Sequence, residues 1–174
     1  MKSDHELIRE FQNGDENSFN ILTKRYVQKI YGYFIQITGD EMDAEDLTQD
    51  VFLKLYKNLK KFRFESKFST YLYRINSNQI SSYFRKSKWR NFLNLEDHPE
   101  LTDDPENYER EWARQKLRNV ISTLPKKQQA VVTMRIIQQL PFRDIADVLN
   151  ISDNSAKVNY HHAVKRLKEK MVDI

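Results

Sequence analysis

Apolar residues recur every three or four positions along most of the chain, the spacing that places them on one face of an α-helix. In the first half this pattern predicts a short helix from Ser3 to Gly14, followed by helices over about 16–37, 42–59 and 68–86. Ser3 and Glu6 match a capping box at the start of the first helix. Glycine and proline, which interrupt helices, occur only three and four times. The sequence therefore predicts an all-α protein.

Residues 141–167 read as two short helices separated by a tight turn. The first apolar stripe consists of Ile145, Val148 and Leu149, and the second of Ala156, Tyr160, Ala163, Val164 and Leu167. Asn150 stands where the turn needs a residue that tolerates positive φ, and Ser152 is a good N-cap. In DNA-binding proteins the second helix of such a helix-turn-helix lies in the major groove. An ordinary helical hairpin with a solvated polar face is the alternative.

Charge is sorted along the chain. Residues 40–50 contain six acidic residues and no basic one, and residues 60–90 contain nine basic residues against one acidic, a net of +8. Residues 96–111 then contain eight acidic residues against one basic, a net of −7, together with prolines and no helical stripe. This composition is typical of a linker. We therefore expect two small helical domains, at 1–92 and 109–174, joined by an acidic linker at 93–108.

Composition excludes several classes of protein. The 174 residues carry a net charge of only +4 and contain no cysteine, which rules out disulfides and thiolate metal sites. No apolar run is long enough to predict a membrane span. The first six residues are polar and lack a signal-peptide core. These features predict a soluble, cytoplasmic protein.

The acidic start of the third helix has three interpretations. Asp43, Asp46 and Asp50 are spaced to share one helical face. They could bind a metal, although no glycine turn of an EF-hand type and no neighbouring histidine accompany them. Acidic residues also favour helix N-termini without any further role. The interpretation that we favour is a docking face for a basic partner.

Aromatic and basic side chains alternate around the start of the fourth helix. The aromatic residues are Phe62, Phe64, Phe68, Tyr71, Tyr73, Tyr83, Phe84 and Trp89. Rings stack on unpaired bases while Lys and Arg follow phosphates, so this mixture suits single-stranded nucleic acid. Because one helical face cannot bury all of these rings, a core with basic flanks explains the pattern less fully. A surface for single-stranded DNA, followed along the chain by a helix-turn-helix for duplex DNA, suits a protein that locates a DNA site and separates its strands.

Several segments resemble the extracytoplasmic-function (ECF) sigma factors, members of the sigma-70 family of RNA polymerase subunits. Residues 43–54 resemble the polymerase-binding helix of that family, and residues 68–75 resemble its −10 segment. The motifs from Leu124 to Gln129 and from Ile145 to Ser152 resemble its region 4. The resemblance covers nearly the whole chain in the same order. It implies sigma region 2 at 1–92 and sigma region 4 at 109–174.

The resemblance also implies partners and site residues, with no cofactor, metal or catalytic residue. Expected partners are core RNA polymerase, promoter DNA and an anti-sigma factor, without a membrane contact. Asp46, Gln49 and Asp50 would contact the clamp helices of the largest polymerase subunit, while Leu47 and Phe52 belong to the core. Region 4 would contact the polymerase flap.

The resemblance also implies residues that contact DNA. The loop from Phe62 to Ser69 would hold a flipped −10 base. The −10 residues are Phe62, Arg63, Phe64, Lys67, Phe68, Ser69, Tyr71, Arg74, Asn78, Arg85 and Lys86. The −35 residues are Asn154, Ser155, Lys157, Val158, Asn159, His161, His162 and Lys165.

The chain departs from the family pattern at a few positions. Tyr71 stands where tryptophan is usual, and Asn150 replaces the common turn glycine. Asn159 and His162 replace frequent arginines, which weakens the expected electrostatic grip on the −35 element. His161 and His162 point about 100° apart on a helix and therefore do not suit one metal ion. A stand-alone helix-turn-helix regulator and a metal-dependent nuclease are the alternative functions. Neither alternative explains the acidic helix, the aromatic and basic loop and the helix-turn-helix together.

Overall fold

A computed structural model describes the backbone of residues 2–92 and 105–172, and side chains over 2–86 and 112–171. Within these ranges the chain forms eight helices and no strand, which confirms the expected all-α fold. The helices are α1 (Asp4–Gln12), α2 (Glu16–Thr38), α3 (Glu41–Leu59), α4 (Phe68–Phe92), α5 (Pro105–Ser122), α6 (Lys126–Ile136), α7 (Phe142–Leu149) and α8 (Asp153–Val172). No described helix is both long and apolar enough to span a membrane.

Two compact units make up the chain, Met1–Gln79 and Ile80–Ile174, and the boundary between them falls inside α4. The helix α5 begins at Pro105, within the segment that we expected to be linker, because proline is tolerated in the first turn of a helix. Residues 93–104, the rest of that segment, lie outside the described residues.

Local capping signals fix the helix ends of the first unit. The Ser3 hydroxyl accepts a bond from the Glu6 backbone N–H, and the Glu6 carboxylate accepts one from the Ser3 backbone N–H, so the predicted capping box forms. Asp15 and Asp40 cap α2 and α3 through their carboxylates. Gly39 ends α2 in the left-handed conformation, which costs glycine little. These caps reverse the chain between α2 and α3 and let the two helices pack together.

The core of the first unit follows the predicted stripes, with exceptions that shape its surface. It includes Leu7, Ile8, Phe11, Leu22, Ile30, Phe34, Val51, Leu55, Leu59, Phe68 and Leu72. Leu47 and Phe52, which we expected in the core, are only half-buried. Phe52 lines a groove between α2 and α3 rather than the centre of the unit. Phe34 of α2 is fully buried.

The second unit contains the predicted helix-turn-helix. Asn150 ends α7 in the left-handed conformation (φ 53°), and Ser152 caps α8 by accepting the Ser155 backbone N–H at 3.1 Å. Ile145, Ala146, Val148, Ala156, Ala163 and Leu167 are buried, and α8 packs against α5, α6 and α7. Buried Gln129 donates its amide to the Ile121 and Ser122 carbonyls and so ties α6 to the end of α5.

Candidate nucleic-acid and partner interfaces

The acidic residues of α3 form an exposed surface. Asp46, Gln49 and Asp50 are all exposed, as a docking face requires. Asp50 also has an internal role, because its carboxylate accepts a bond from the buried amide of Gln79 at 3.1 Å, and Lys54 donates to the Gln79 oxygen at 2.5 Å. Asp50 therefore links α3 to α4 while facing solvent, whereas Asp46 has no such tie to α4 in the structure as described.

An apolar groove lies beside this acidic face. It has a volume of about 410 Å³ and is lined by Val27, Gln28, Tyr31, Glu45, Thr48, Gln49 and Phe52. Desolvation, together with the charges of Glu41 and Glu45, raises the pKa of the Tyr31 hydroxyl. An apolar floor with an acidic rim is complementary to a helix that carries both basic and apolar residues.

No metal cluster accompanies these carboxylates. Among the residues whose side chains are described, no group of three or more His, Asp or Glu side chains is arranged to hold a metal ion. His161 and His162 have ring centroids 6.2 Å apart on α8.

The loop between α3 and α4 carries a cluster of aromatic rings. The ring of Phe62 lies 5.1 Å from that of Phe64 and 5.2 Å from that of Tyr71, measured between centroids. All three side chains are half-buried, so part of each ring reaches solvent. Burial raises the pKa of the Tyr71 hydroxyl above its ordinary value. The exposed parts of these rings are suited to contact an unpaired base.

Phe68 differs from the other residues expected to contact −10 DNA. Its side chain is 2% exposed and packs edge-on against Tyr26 at 5.3 Å. Phe68 also lines an open groove of about 290 Å³, together with Lys67, Ser69, Ser3, Asp4 and His5. Its expected contact with −10 DNA therefore stays a prediction, although most of the ring packs in the core at the start of α4.

Exposed polar residues follow one side of α4. Arg74, Asn78 and Arg85 are spaced by four and seven residues, so they share a helical face, and Lys86 is adjacent. All four are exposed, as is Arg63 in the loop, which makes only a loose pair with Glu65 at 3.9 Å. The aromatic loop thus continues into a basic helix face. Lys88, Trp89 and Arg90 have side chains outside the described residues.

The helix α8 presents a polar face opposite its buried stripe. Asn154, Lys157, Val158, His161, His162 and Lys165 are exposed, whereas Ser155 and Asn159 are half-buried. Asn159 donates its amide to the Ser155 carbonyl at 2.8 Å, so part of its hydrogen-bonding capacity is used within the helix. Lys157 pairs with Asp153 at 2.6 Å, and Lys165 with Glu169 at 4.0 Å. Both pairs are exposed and exchange readily for other partners.

Sequence reasoning missed residues of α1 that contact the loop. The His5 ring lies edge-on to Phe64 at 5.2 Å, and the Arg9 guanidinium lies over the same ring at 5.2 Å. Gln12 donates its amide to the Leu59 and Phe62 carbonyls. These contacts join residues about fifty positions apart, which helical periodicity does not register. A histidine on a short capped helix was the available signal, and it pointed to no particular partner.

The chain matches known proteins across both units. Residues 22–90 match the family model for sigma-70 region 2, and residues 114–167 match that for sigma-70 region 4. The RNA polymerase sigma factor YlaC of Bacillus subtilis is 30% identical over 160 residues, covering 89% of this chain and 92% of YlaC.

The chain belongs to the ECF sigma factors of the sigma-70 family.

Further ECF sigma factors are similar over almost their full lengths. SigW of Bacillus subtilis is 28% identical, and 96% of each chain is covered. The sigma-E factor of Escherichia coli K12 is 27% identical, covering 97% of this chain and 94% of that protein. This ECF factor is accordingly a sigma subunit that functions with RNA polymerase in transcription initiation. The sigma factor family is not an enzyme class.

Solved structures share the fold. CnrH, solved in complex with the cytosolic domain of CnrY, superposes with a TM-score of 0.66 at 17% identity, covering 99% of this chain and 98% of CnrH. The sigma factor RpoE of Bartonella quintana, solved with the anti-sigma factor NepR, gives a TM-score of 0.55 at 18% identity, covering 88% of this chain and 96% of RpoE.

Proposed function

We propose that this ECF sigma factor brings core RNA polymerase to promoters through three surfaces of different chemistry. The acidic face of α3 docks on the clamp helices of the largest polymerase subunit, the loop after α3 and the basic face of α4 open the −10 element, and α8 reads the −35 element. The observation that carries the proposal is the exposed acidic face of α3 beside an apolar groove. An acidic face beside an apolar groove repels DNA phosphates and suits a basic protein partner.

The docking surface combines charge with apolar contact. Asp46, Gln49 and Asp50 supply acceptors, and the groove lined by Tyr31 and Phe52 supplies buried area. Charged groups at such an interface set orientation and association rate, while the apolar floor supplies binding free energy. A basic helical partner satisfies both requirements.

The −10 surface combines a base site with a phosphate track. Phe62, Phe64 and Tyr71 form a half-buried ring cluster in and after the loop, and Lys67 and Ser69 line an open groove at the start of α4, so a flipped base would contact this segment. Flipping a base costs a few kcal/mol, so stacking and a shaped site must compensate for it. Arg74, Asn78, Arg85 and Lys86 then follow the phosphates of the separated strand along α4.

The −35 surface is the exposed side of α8. Lys157 and Val158 lie on its first half, and His161, His162 and Lys165 follow, while Asn154 and Ser155 lie at its start. Neutral histidine and asparagine hydrogen-bond to bases or phosphates but add little electrostatic attraction. Region 4 should therefore bind duplex DNA weakly by itself and rely on polymerase to hold it at the promoter.

Region 4 also requires a contact with polymerase, for which we propose the flap. The exposed apolar side chains Trp112, Leu117 and Ile136 lie on α5 and α6. Exposed apolar side chains of this size are typical of protein contacts. An anti-sigma factor, such as NepR in the RpoE complex, is a further proposed partner. We place the activity in the cytoplasm, where polymerase works, without catalysis, metal or cofactor of its own.

Transcription in vitro with core polymerase tests this function. Core enzyme with and without the protein is given a library of promoters, and the transcripts are sequenced. We expect transcripts to appear only with the protein and to share −35 and −10 sequences. If the protein binds duplex DNA but never directs core polymerase to initiate, the function is that of a stand-alone regulator, which the family membership does not favour.

A further inference from the structure

The loop from Lys60 to Lys67, which connects α3 to α4, contains a strained residue. Phe64 has a φ of 59°, in the left-handed region that bulky side chains rarely adopt. Such conformations persist only where surrounding contacts hold them, and they concentrate at binding sites. The contacts that hold Phe64 therefore identify what keeps the loop in its shape.

The helix α1 supplies the contacts to Phe64. The His5 ring meets the Phe64 ring edge-on at 5.2 Å, and the Arg9 guanidinium lies over the Phe64 ring at 5.2 Å from its centroid. His5 also lies 6.4 Å from Phe62. His5 and Arg9 are one helical turn apart, so they reach the loop from the same side of α1.

Gln12, at the end of α1, fixes the backbone of the loop. Its amide nitrogen donates to the Leu59 carbonyl at 2.8 Å and to the Phe62 carbonyl at 2.9 Å. Leu59 ends α3, and Phe62 is the first ring of the aromatic cluster. One side chain thereby joins the end of a packed helix to the residue where the loop turns towards solvent.

The helix α1 is itself held firmly against the rest of its unit. The capping box fixes its first turn, and Leu7, Ile8 and Phe11 are buried. The Asp4 carboxylate accepts bonds from Arg25 and Tyr26 of α2. A helix anchored at its start and along its buried side is a rigid support for the loop.

We propose that α1 is the positioning element of the −10 loop, with Gln12 as its main positioning residue and His5 and Arg9 as its support for Phe64. The inference rests on the proposed role of this loop in holding a flipped base. A base site discriminates only if its walls are held in the productive geometry before the base arrives. Base discrimination, rather than polymerase binding, therefore depends on these three residues.

The test measures base discrimination with reconstituted holoenzyme. Core polymerase is combined with wild-type protein, Gln12→Leu, or a His5→Ala/Arg9→Ala variant, and promoters carrying each of the four bases at every −10 position are transcribed. Gln12→Leu keeps a similar length but removes both donors. Gln36→Leu, at an exposed position of α2, is the matched control. Binding to core polymerase is measured for every variant.

We expect the ratio between the preferred and the worst base to fall about tenfold in Gln12→Leu, the size expected when one hydrogen-bonded interaction with a base is removed. Binding to core polymerase should stay within about twofold of wild type, and Gln36→Leu should keep full discrimination. The His5→Ala/Arg9→Ala variant changes only partly or fully exposed side chains, and it should lose discrimination in the same direction.

Unchanged discrimination in both variants overturns the inference, as does an equal loss of transcription with all four bases, which a general loss of stability produces. If Gln12→Leu no longer binds polymerase, only the His5→Ala/Arg9→Ala variant tests the inference. The inference is then wrong if that variant discriminates between bases as well as the wild type does. A wild-type protein that shows no base preference at the −10 element instead removes the proposed role of the loop, and the inference with it.

Discussion

Individual side chains determine the shape of the turn in the helix-turn-helix of this ECF factor and the hydrogen-bonding groups that its second helix exposes. Asn150 reaches a φ of 53° where glycine is usual, since its short polar side chain tolerates the left-handed region. On α8, Asn159 is tied to Ser155 while Lys157 extends into solvent. Two residues that the sequence places together on a reading helix are thus unequal in what they can offer to DNA.

Lys157→Ala should weaken binding to a −35 duplex more than Asn159→Ala does. Lys157 exchanges an exposed pair with Asp153 for a DNA contact at little cost, and a direct contact to a base is worth about 1–3 kcal/mol. Asn159 would first have to give up its bond to Ser155. Fluorescence anisotropy of the full chain on labelled duplexes measures both, with exposed Lys168→Ala as the control. A larger effect of Asn159→Ala would refute this division of roles.

At the scale of elements, α3 and α4 share one hydrogen-bonded link but present different surfaces. Gln79 of α4 bridges Asp50 and Lys54 of α3. The exposed residues of α3 include Asp46 and Asp50, and those of α4 include Arg74, Arg85 and Lys86, so the two linked helices carry exposed charges of opposite sign. Each face can therefore be altered separately.

Asp46→Lys should strongly reduce binding to core polymerase, and Asp46→Lys/Asp50→Lys should abolish it. Reversing a charge at a desolvated contact costs several kcal/mol. Asp46 is the cleaner change, because Asp50 also supports α4 through Gln79. Glu169→Lys, an equal charge change at an exposed site on α8, is the control. Co-purification with core polymerase measures binding, and circular dichroism checks helicity. Full recovery of polymerase with the folded double variant would exclude this docking face.

Arg85→Ala/Lys86→Ala should weaken binding to single-stranded −10 DNA. The slope of log affinity against log salt should fall by about 0.7 for each phosphate that the variant no longer neutralises. Permanganate footprints should show less open complex while the closed complex remains. Lys126→Ala/Lys127→Ala removes two adjacent exposed cations at the start of α6 and is the matched control. Footprints that match wild type would mean that Arg85 and Lys86 only solvate α4.

Across the whole molecule, a modest net charge of +4 conceals large charges of opposite sign. The acidic stretch at 40–50 lies at the start of α3, and the basic stretch at 60–90 covers the loop and α4. Carboxylates also hold α1 in place. The Ser3 backbone and hydroxyl lower the pKa of Glu6, and Lys2 and Ser18 lower that of Glu10. These bonds make the stability of the chain depend on pH.

The unfolding free energy of the whole chain should therefore fall in acid. A carboxyl whose pKa is depressed by folding adds stability above its unfolded value of 4.5, and this is lost as the pH falls through its folded pKa. Glu6→Gln/Glu10→Gln should be less stable than wild type at pH 7 and equal to it in strong acid. Urea unfolding at a series of pH values measures the difference. A gap that persists at low pH would show that ionisation is not its source.

The sequence by itself determined α1 to α4 in outline, the capping box of α1 and the turn between α7 and α8, whereas it gave no bounds for α5 and α6. The capping box of Ser3 and Glu6, the left-handed Asn150 and the Ser152 cap were all predicted, because each depends on residues within a few positions of one another. The exposure of Asp46, Gln49 and Asp50 follows in the same way from the apolar stripe on the other side of α3.

Only the tertiary structure decided which aromatic rings are core and what surrounds the loop. Phe62, Phe64 and Phe68 have the same side chain within seven positions, yet only Phe68 is fully enclosed, because Tyr26 of α2 packs against it. His5 and Gln12 reach the loop from about fifty residues away. Helical periodicity shows which side of a helix is apolar. Which residues of another helix pack against that side depends on the tertiary arrangement of the helices.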